Sequence, residues 1–343
     1  MKFIKKHITT MKYCYAVSTT VVDNKTILLF APDTLGPCIG VNAETLEKEE
    51  IWKEPGGTMS MVQIPGLNGD FIAVQKFNPA FEAAKAKLVR VIRENNSWKV
   101  LPYFEMPYVH RIDIIQSNKE YYLICCTVCS SKKSVDDWSN PGSIYIAKID
   151  PNHMENKPQF KVLKDGLTRN HGYWRNEEKG KITSYVSSDQ GVFQITPPTS
   201  RNGQFTIKKV IDAQVSDVAL CDIDGDGKLE IATIQPFHGT DFVVYHDSDN
   251  GYKEMYRYPT PMAFIHVAWA GELAGKTVFL GGCREKQKEL FMLYWNGETI
   301  EKQIIEVGAG PSNVKKLILN GKEILAVANR ETNEAAMFLI EKN

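Results

Sequence analysis

The chain lacks the features that mark several large classes of protein. None of its apolar runs approaches the ~18 residues that a membrane-spanning helix needs. Because 41 Lys and Arg balance 41 Asp and Glu, no overall charge favours nucleic acid or an anionic membrane. GxGxxG, GxSxG and Walker motifs are also absent, which argues against nucleotide use. We therefore expect no nucleic-acid or membrane partner.

The sequence also has little that is typical of a secreted protein. Its first residues contain no apolar segment or cleavage site of a secretory leader. The seven cysteines are odd in number and scattered, unlike a disulfide framework. Cys126 and Cys129 form a CxxC, but in a strand-like run and not at a helix start, so we interpret the cysteines as buried structural thiols. These features favour a cytoplasmic location.

Helical periodicity is nearly absent, and a strand pattern recurs instead. In each repeat a small, polar or His residue opens an apolar strand, and a turn and a more apolar strand follow. The opening residues are Ser60, His110, His171, Asp217, His266 and Asn313. Their mean spacing of about 51 residues is close to the size of a four-stranded propeller blade. The sequence predicts an all-β, seven-bladed β-propeller with four-stranded blades, and residues 1–343 as a single domain.

The last repeat, from residue 313 to 340, has room for only about three strands. A propeller usually completes its last blade with a strand from the other terminus, which leaves no open edge. We expect the N-terminal segment near residues 12–17 to close the ring. A pair of β-sandwiches is the rival architecture, but it predicts a linker near the midpoint, and the sequence shows none.

An acidic turn lies in the fifth repeat, where three Asp alternate with other residues and two glycines permit a tight turn. The segment resembles an FG-GAP or VCBS-type propeller repeat. That resemblance implies a structural Ca²⁺ held by Asp222, Asp224, Asp226 and Glu230. A metal-free Asp-Gly turn is the alternative. In both cases we expect the turn to be architectural and to lie away from the active site.

A second resemblance covers most of the chain. Residues 109–113, 141–144, 170–172 and 328–331 are similar to the propeller portion of aldos-2-ulose dehydratase, which removes water from keto-sugars such as 1,5-anhydrofructose. Those enzymes carry further β-domains, for which 343 residues leave no room. The resemblance implies a carbon–oxygen lyase with a small carbohydrate substrate.

Histidines occupy matched positions in several repeats. The innermost strand of a blade begins at the central channel, so His110, His171 and His266 should converge there, with His238 nearby. Gathered imidazoles act as divalent-metal ligands or as general acid–base groups, and a sugar lyase needs both functions. We predict a channel metal held by His110, His171, His238 and His266. The predicted catalytic groups are His171, His110 and Tyr173, with His171 as the base because Gly172 leaves space for a ligand. The alternative is a polar lining of a wet channel.

Cations and aromatic residues stand at neighbouring loop positions. Aromatic faces pack on the C–H surfaces of sugars, and charged side chains hold their hydroxyls. The predicted substrate-binding residues are Lys76, Arg111, Trp138, Arg284, Arg330 and Glu331. A solvated rim is the alternative, above all for Lys132 and Lys133.

The main functional hypothesis is a metal-assisted carbohydrate lyase or dehydratase that abstracts a proton beside a carbonyl and eliminates water. The first alternative is a non-catalytic, integrin-like propeller that binds a glycan or a protein. The second is a glycoside hydrolase, which needs two carboxylates ~5 to 9.5 Å apart at the channel, and the sequence does not pair any.

Overall fold

Two-residue turns connect many of the neighbouring strands. In the computed structural model, which describes residues 1–79, 81–200 and 203–342, Asp23 and Asn24 have φ values of 49° and 61° between two paired strands. This type I′ turn matches the twist of a β-hairpin, and Asp and Asn tolerate the left-handed conformation. Asn95 with Asn96 and Asn118 with Lys119 repeat the arrangement.

The strands form seven antiparallel sheets of four. The strands are, in chain order, β1 (Lys2–Thr10) in blade seven; β2 (Cys14–Val22), β3 (Lys25–Pro32), β4 (Cys38–Asn42) and β5 (Lys48–Trp52) in blade one; β6 (Met61–Gln63), β7 (Phe71–Gln75), β8 (Lys87–Glu94) and β9 (Ser97–Glu105) in blade two; β10 (Val109–Ser117), β11 (Glu120–Thr127), β12 (Gly142–Ile149) and β13 (Lys161–Leu167) in blade three; β14 (Gly172–Glu178), β15 (Lys181–Ser188), β16 (Gly191–Thr196) and β17 (Thr206–Ile211) in blade four; β18 (Asp217–Cys221), β19 (Glu230–Gln235), β20 (Asp241–Ser248) and β21 (Gly251–Arg257) in blade five; β22 (Ala263–Leu273), β23 (Lys276–Glu285), β24 (Leu290–Trp295) and β25 (Ile300–Glu306) in blade six; and β26 (Pro311–Leu319), β27 (Lys322–Asn329) and β28 (Glu334–Glu341) in blade seven.

The predicted seven-bladed, all-β propeller is therefore confirmed. Besides the strands, the part of the chain that the structure describes has one short 3₁₀ turn, Pro151–His153. Within the described residues, no helix has the length and apolar character needed to cross a membrane.

Blade seven closes the ring as predicted, but with a different segment. Strand β1 pairs antiparallel with β28, from Lys2 opposite Glu341 to Thr10 opposite Glu334. The closing strand is thus Lys2–Thr10, and most of residues 12–17 belong to the first strand of blade one. Residues 14–17 already pair within blade one as part of β2, so the segment before them supplies the closing strand.

The two ends of the channel differ. The first and second strands of blades one, three and seven are joined by two-residue turns at one end. The opposite end, here called the His end, carries the starts of the first strands and longer loops such as residues 76–86 and 128–141. Apolar residues of the second strands, such as Leu28 and Val74, are fully buried between blades. All seven cysteines are free, buried thiols.

Candidate functional site

Four imidazoles meet at the His end of the channel. The histidine cluster consists of His110, His171, His238 and His266. Nε2 of His238 lies 3.2 Å from Nε2 of His171, and the rings of His110 and His171 lie 4.2 Å apart. Their exposed fractions are 1% for His110 and His171 and 3% for His266, whereas His238 is partly exposed. The matched repeat positions thus bring the predicted residues together, and their roles stay predictions.

Three of the four imidazoles have the spacing of metal ligands. One ring nitrogen each of His171, His238 and His266 lies within 4.8 Å of the other two. Two nitrogens bonded to one ion at about 2.1 Å would lie about 3 to 3.4 Å apart, which the 3.2 Å separation matches. His110 is outside this group of three, so the geometry makes His110, and not His171, the better candidate for an unligated base.

β-Bulges orient His110 and His266 of the cluster. The pairing of β10 with β11 skips His110, and the pairing of β22 with β23 skips His266. The same irregularity occurs at Tyr15 in β2 and at Ser312 in β26. A bulge leaves one residue outside the ladder and redirects its side chain. Tyr15, His110 and His266 thus turn towards the same point, whereas the hydroxyl of Ser312 donates to main-chain carbonyls.

Hydrogen bonds orient two of these side chains. The main-chain carbonyl of Ser312 lies 2.7 Å from Nδ1 of His266, so Nδ1–H donates and the lone pair of Nε2 faces the cluster. The buried hydroxyl of Tyr15 lies 3.2 Å from Nε2 of His266 and 3.4 Å from Nε2 of His110. Nδ1 of His110 and Nδ1 of His171 have no hydrogen-bond partner among the described residues. The cluster thus has spare capacity to hold a ligand or a proton.

Burial and nearby cations keep the cluster uncharged. Desolvation lowers the pKa of His110, His171 and His266 well below the ordinary value. The pKa of His238 falls to about 3, through burial first and then the charges of Arg284, Arg111 and Arg169. Neutral imidazoles are the form that binds metal ions.

Three phenylalanines, here called the aromatic frame, surround His238. Phe81, Phe237 and Phe264 have ring centroids 5.9, 4.1 and 4.4 Å from that of His238. Trp138 extends the frame, with its ring 5.5 Å from Phe81 and from Phe237. All four rings are partly exposed, so they can border a ligand that approaches the cluster.

Backbone strain is concentrated at this end. Bulky side chains rarely adopt positive φ, and each instance costs about 1–3 kcal/mol. Nine such residues lie on the loops and strand starts of the His end: Tyr13, Lys76, Phe81, Tyr108, Arg169, His238, Phe264, Lys286 and Lys288. Strain of this kind occurs where the surrounding structure holds side chains in place for a function.

Arg111 and Tyr173 lie one layer below the cluster, which corrects their predicted place at the mouth. The bulge at His110 points Arg111 into the channel, where it donates to Oδ2 of Asp217 at 3.0 Å. The hydroxyl of Tyr173 donates to Asp113 at 2.8 Å. Burial raises the pKa of Asp217 to about 6. Arg111, Tyr173, Asp217 and His266 line a common cavity of about 180 Å³.

The other predicted binding residues lie around the mouth. Arg284 and Arg330 share Glu331 at 2.8 and 2.9 Å, and Arg330 also pairs with Asp33. Lys76 has no ion-pair partner within the described residues. Gly172 does not leave space for a ligand, because a Cβ there would lie 2.1 Å from Oγ of Ser187 and 2.7 Å from Cα of Asp217. It permits close packing beneath His171 instead.

The acidic turn has a different set of convergent residues from the predicted one. Asp224, Asp226 and Glu230 come together with His246, within 4.8 Å of one another. Asp222 points back into the turn, where its carboxylate accepts from the backbone N–H of Gly225 and Gly227. The turn joins β18 to β19 at the end of the channel opposite the His end. The Ca²⁺ site itself stays a prediction.

Several site residues escaped the sequence argument. Tyr15 and Ser312 occupy the same bulge position as His110 and His266, and an alignment of the repeats by that position would have found them. Phe81, Phe237 and Phe264 lie in or beside irregular loops, where no periodicity points to them. Arg169 and Lys132 are also in loops and gave no signal beyond their charge.

Comparisons with known proteins identify the fold. No protein-family model and no curated protein matches the sequence. The β-propeller domain of Cps50 (Swd1) from Myceliophteria thermophila is 9% identical, with a TM-score of 0.61 over 98% of this chain and 100% of that one. Sqt1 of Saccharomyces cerevisiae is 11% identical, with a TM-score of 0.57 over 100% and 98% of the two chains. The extracellular domain of the putative one component system BT4673 from B. thetaiotaomicron is 11% identical, with a TM-score of 0.61, and this chain covers 40% of it.

These similarities support a β-propeller and extend no further, because identities of 9 to 11% show the fold alone. They do not confirm the resemblance to FG-GAP repeats or to aldos-2-ulose dehydratase.

Proposed function

We propose that this propeller binds a divalent transition-metal ion through His171, His238 and His266 and holds a small ligand beside it at the His end. The observation that carries the proposal is the convergence of three ring nitrogens within 4.8 Å. Three imidazoles with an open position are typical of sites that bind zinc and exchange a water or substrate.

The same groups support chemistry on a carbonyl compound. A bound metal ion would polarise the carbonyl oxygen and so ease loss of a proton from the adjacent carbon. His110 is neutral, has an unpartnered Nδ1 and lies against His171, so it suits the role of base. The Tyr15 hydroxyl contacts His110 and is placed to pass a proton to a departing hydroxyl. These contacts favour a lyase that eliminates water from a keto-sugar or related compound.

A non-catalytic binding propeller is the second candidate, and the structural comparisons favour it. The chain matches the Swd1 propeller domain and Sqt1 over nearly their whole lengths, and no comparison supports lyase activity. In this case the same metal and aromatic residues would bind a glycan or another partner without turnover.

One experiment separates the candidates. The purified protein is stripped of metal, titrated with Zn²⁺ and Mn²⁺, and then incubated with 1,5-anhydrofructose while the enone absorbance is followed. Metal binding with turnover supports the lyase, and metal binding without turnover of any keto-sugar supports the binding propeller. If the protein binds no divalent metal, both forms of the proposal are wrong.

A further inference from the structure

A cationic side chain lies over each of the three phenylalanine rings of the aromatic frame. Nζ of Lys132 lies 5.7 Å from the centroid of Phe81, the guanidinium of Arg169 lies 5.6 Å from Phe237, and that of Arg284 lies 4.4 Å from Phe264. Each of these rings also contacts His238. Three positive charges therefore lie one ring away from the histidine cluster, in the β11–β12 loop, the β13–β14 connection and β23.

Neighbouring carboxylates only partly neutralise these charges. Arg169 pairs with Asp189 at 3.3 Å. Arg284 and Arg330 share Glu331, and Arg330 also pairs with Asp33. Lys132 has no ion-pair partner in the part of the chain that the structure describes, and its Nζ donates to the main-chain carbonyl of Val135. Among these residues, four cations thus face three carboxylates.

The positive field reaches the cluster. The guanidinium groups of Arg284 and Arg169 lie over Phe264 and Phe237, whose rings stack on His238 with centroids 4.4 and 4.1 Å away. Positive charges this close to His238 repel a metal dication. A metal ion alone would therefore be held less tightly than the three imidazoles allow, unless a negative charge accompanied it.

We propose that the site binds its metal ion together with an anion, and that the ligand is a small molecule with a carboxylate or phosphate group. The anionic group faces Lys132, Arg169 and Arg284, and the body of the ligand packs on the aromatic frame. This inference rests on the metal site proposed above and names the class of its ligand. It differs from the neutral keto-sugar that the dehydratase resemblance implies.

The proposal requires positive coupling between metal and anion. Coupling is reciprocal, so an anion that tightens metal binding is itself bound more tightly to the metal-loaded protein. Couplings between two ligands typically amount to about 5- to 150-fold in affinity. A neutral ligand of the same shape should show little of this effect, because it cannot offset the field.

The test compares three keto-sugars that differ mainly in charge. The Zn²⁺ affinity of the metal-free protein is measured by calorimetry with 2-ketogluconate, with fructose 6-phosphate and with fructose, and protein-free titrations correct for chelation in solution. We expect at least about a 5-fold gain in Zn²⁺ affinity with one or both anions and no gain with fructose. The carboxylate and phosphate arms show which oxyanion the site prefers.

Variants of the mouth cations should change two measured quantities in opposite directions: the Zn²⁺ affinity without an anion, and the gain in affinity that the anion produces. Arg284→Gln should strengthen Zn²⁺ binding without an anion and reduce the gain that the anion produces. Lys132→Gln, which breaks no ion pair, should act in the same direction if Arg284→Gln fails to fold. Lys322→Gln, at the opposite end of the channel, is the matched control and should leave both quantities unchanged.

The outcomes are distinct. Zn²⁺ binding that is equally affected by fructose and by the anions contradicts this inference and leaves the metal site intact. Weaker Zn²⁺ binding by both mouth variants in the absence of an anion also contradicts it. Absence of Zn²⁺ binding under every condition contradicts the metal site and this inference together.

Discussion

Nε2 of His238 faces Nε2 of His171 across 3.2 Å, although the two residues come from different blades. A neutral imidazole can carry its single proton on Nε2 and donate it to the other ring, or a cation can lie between the two lone pairs. A shared metal ion would use the lone pairs of both rings, and the predictions below follow from that arrangement.

Gly172→Ala should displace His171. The added Cβ would meet Oγ of Ser187 at 2.1 Å and the backbone of Asp217 at 2.7 Å, so the chain beside His171 must move. We expect a lower melting temperature and loss of most Zn²⁺ affinity, measured by thermal unfolding and calorimetry. The added substitution Ser187→Gly removes only the nearer atom, so rescue should be partial. Unchanged Zn²⁺ affinity in Gly172→Ala would show that His171 is not a ligand.

Tyr15→Phe should raise the Zn²⁺ affinity without unfolding the protein. Nδ1 of His266 is bonded to the carbonyl of Ser312, so Nε2 is the atom left for a metal ion, and the Tyr15 hydroxyl 3.2 Å away donates to the same lone pair. A neutral hydrogen bond contributes about 0.5–1.5 kcal/mol, so its loss should raise the affinity by about 2- to 12-fold. Tyr103→Phe is the control, since Tyr103 is buried in blade two away from the cluster. Equal Zn²⁺ affinities of Tyr15→Phe and Tyr103→Phe would show that Tyr15 is not part of the metal site.

Stability should depend on pH through His238. In the unfolded chain His238 takes up a proton below about pH 6.5, whereas in the folded protein its pKa is about 3. The stability gained from a neutral His238 is therefore complete above pH 6.5 and is lost as the pH falls towards 3. Relative to His238→Asn, the metal-free wild type should lose at most about 1.4 kcal/mol per pH unit in this range. Urea unfolding of both proteins at pH 7, 6 and 5 measures the difference between their free energies of unfolding. A difference that stays constant with pH would contradict the assignment.

Lys76→Gly should stabilise the protein and weaken ligand binding. Lys76 has φ of 62°, which glycine adopts without strain, and its N–H can still donate to the carbonyl of Gly56. Relief of about 1–3 kcal/mol of strain exceeds the entropic cost of glycine, about 0.5–1 kcal/mol. Lys85→Gly, in the same loop but without positive φ, should be neutral or destabilising. Equal destabilisation by both changes would show that the conformation of Lys76 is not strained.

The sequence predicted the architecture well because each blade repeats the same strands and turns. The matched positions of His110, His171 and His266 were visible for the same reason. Bulges were not visible, so the sequence did not show that Arg111 turns into the channel while its neighbour His110 turns to the mouth. The aromatic frame was missed because the left-handed conformations of Phe81, in a loop, and Phe264, at the start of β22, are set by tertiary packing and not by local pattern.

A crystal soaked with Zn²⁺ and measured at the zinc absorption edge tests the central claim most directly. The account predicts an anomalous peak about 2.1 Å from one ring nitrogen each of His171, His238 and His266. In crystals of His238→Ala the peak should weaken or vanish, whereas crystals of His153→Ala, changed at an exposed histidine, should keep it. A fully soaked wild-type crystal with no peak among these three side chains would contradict the account.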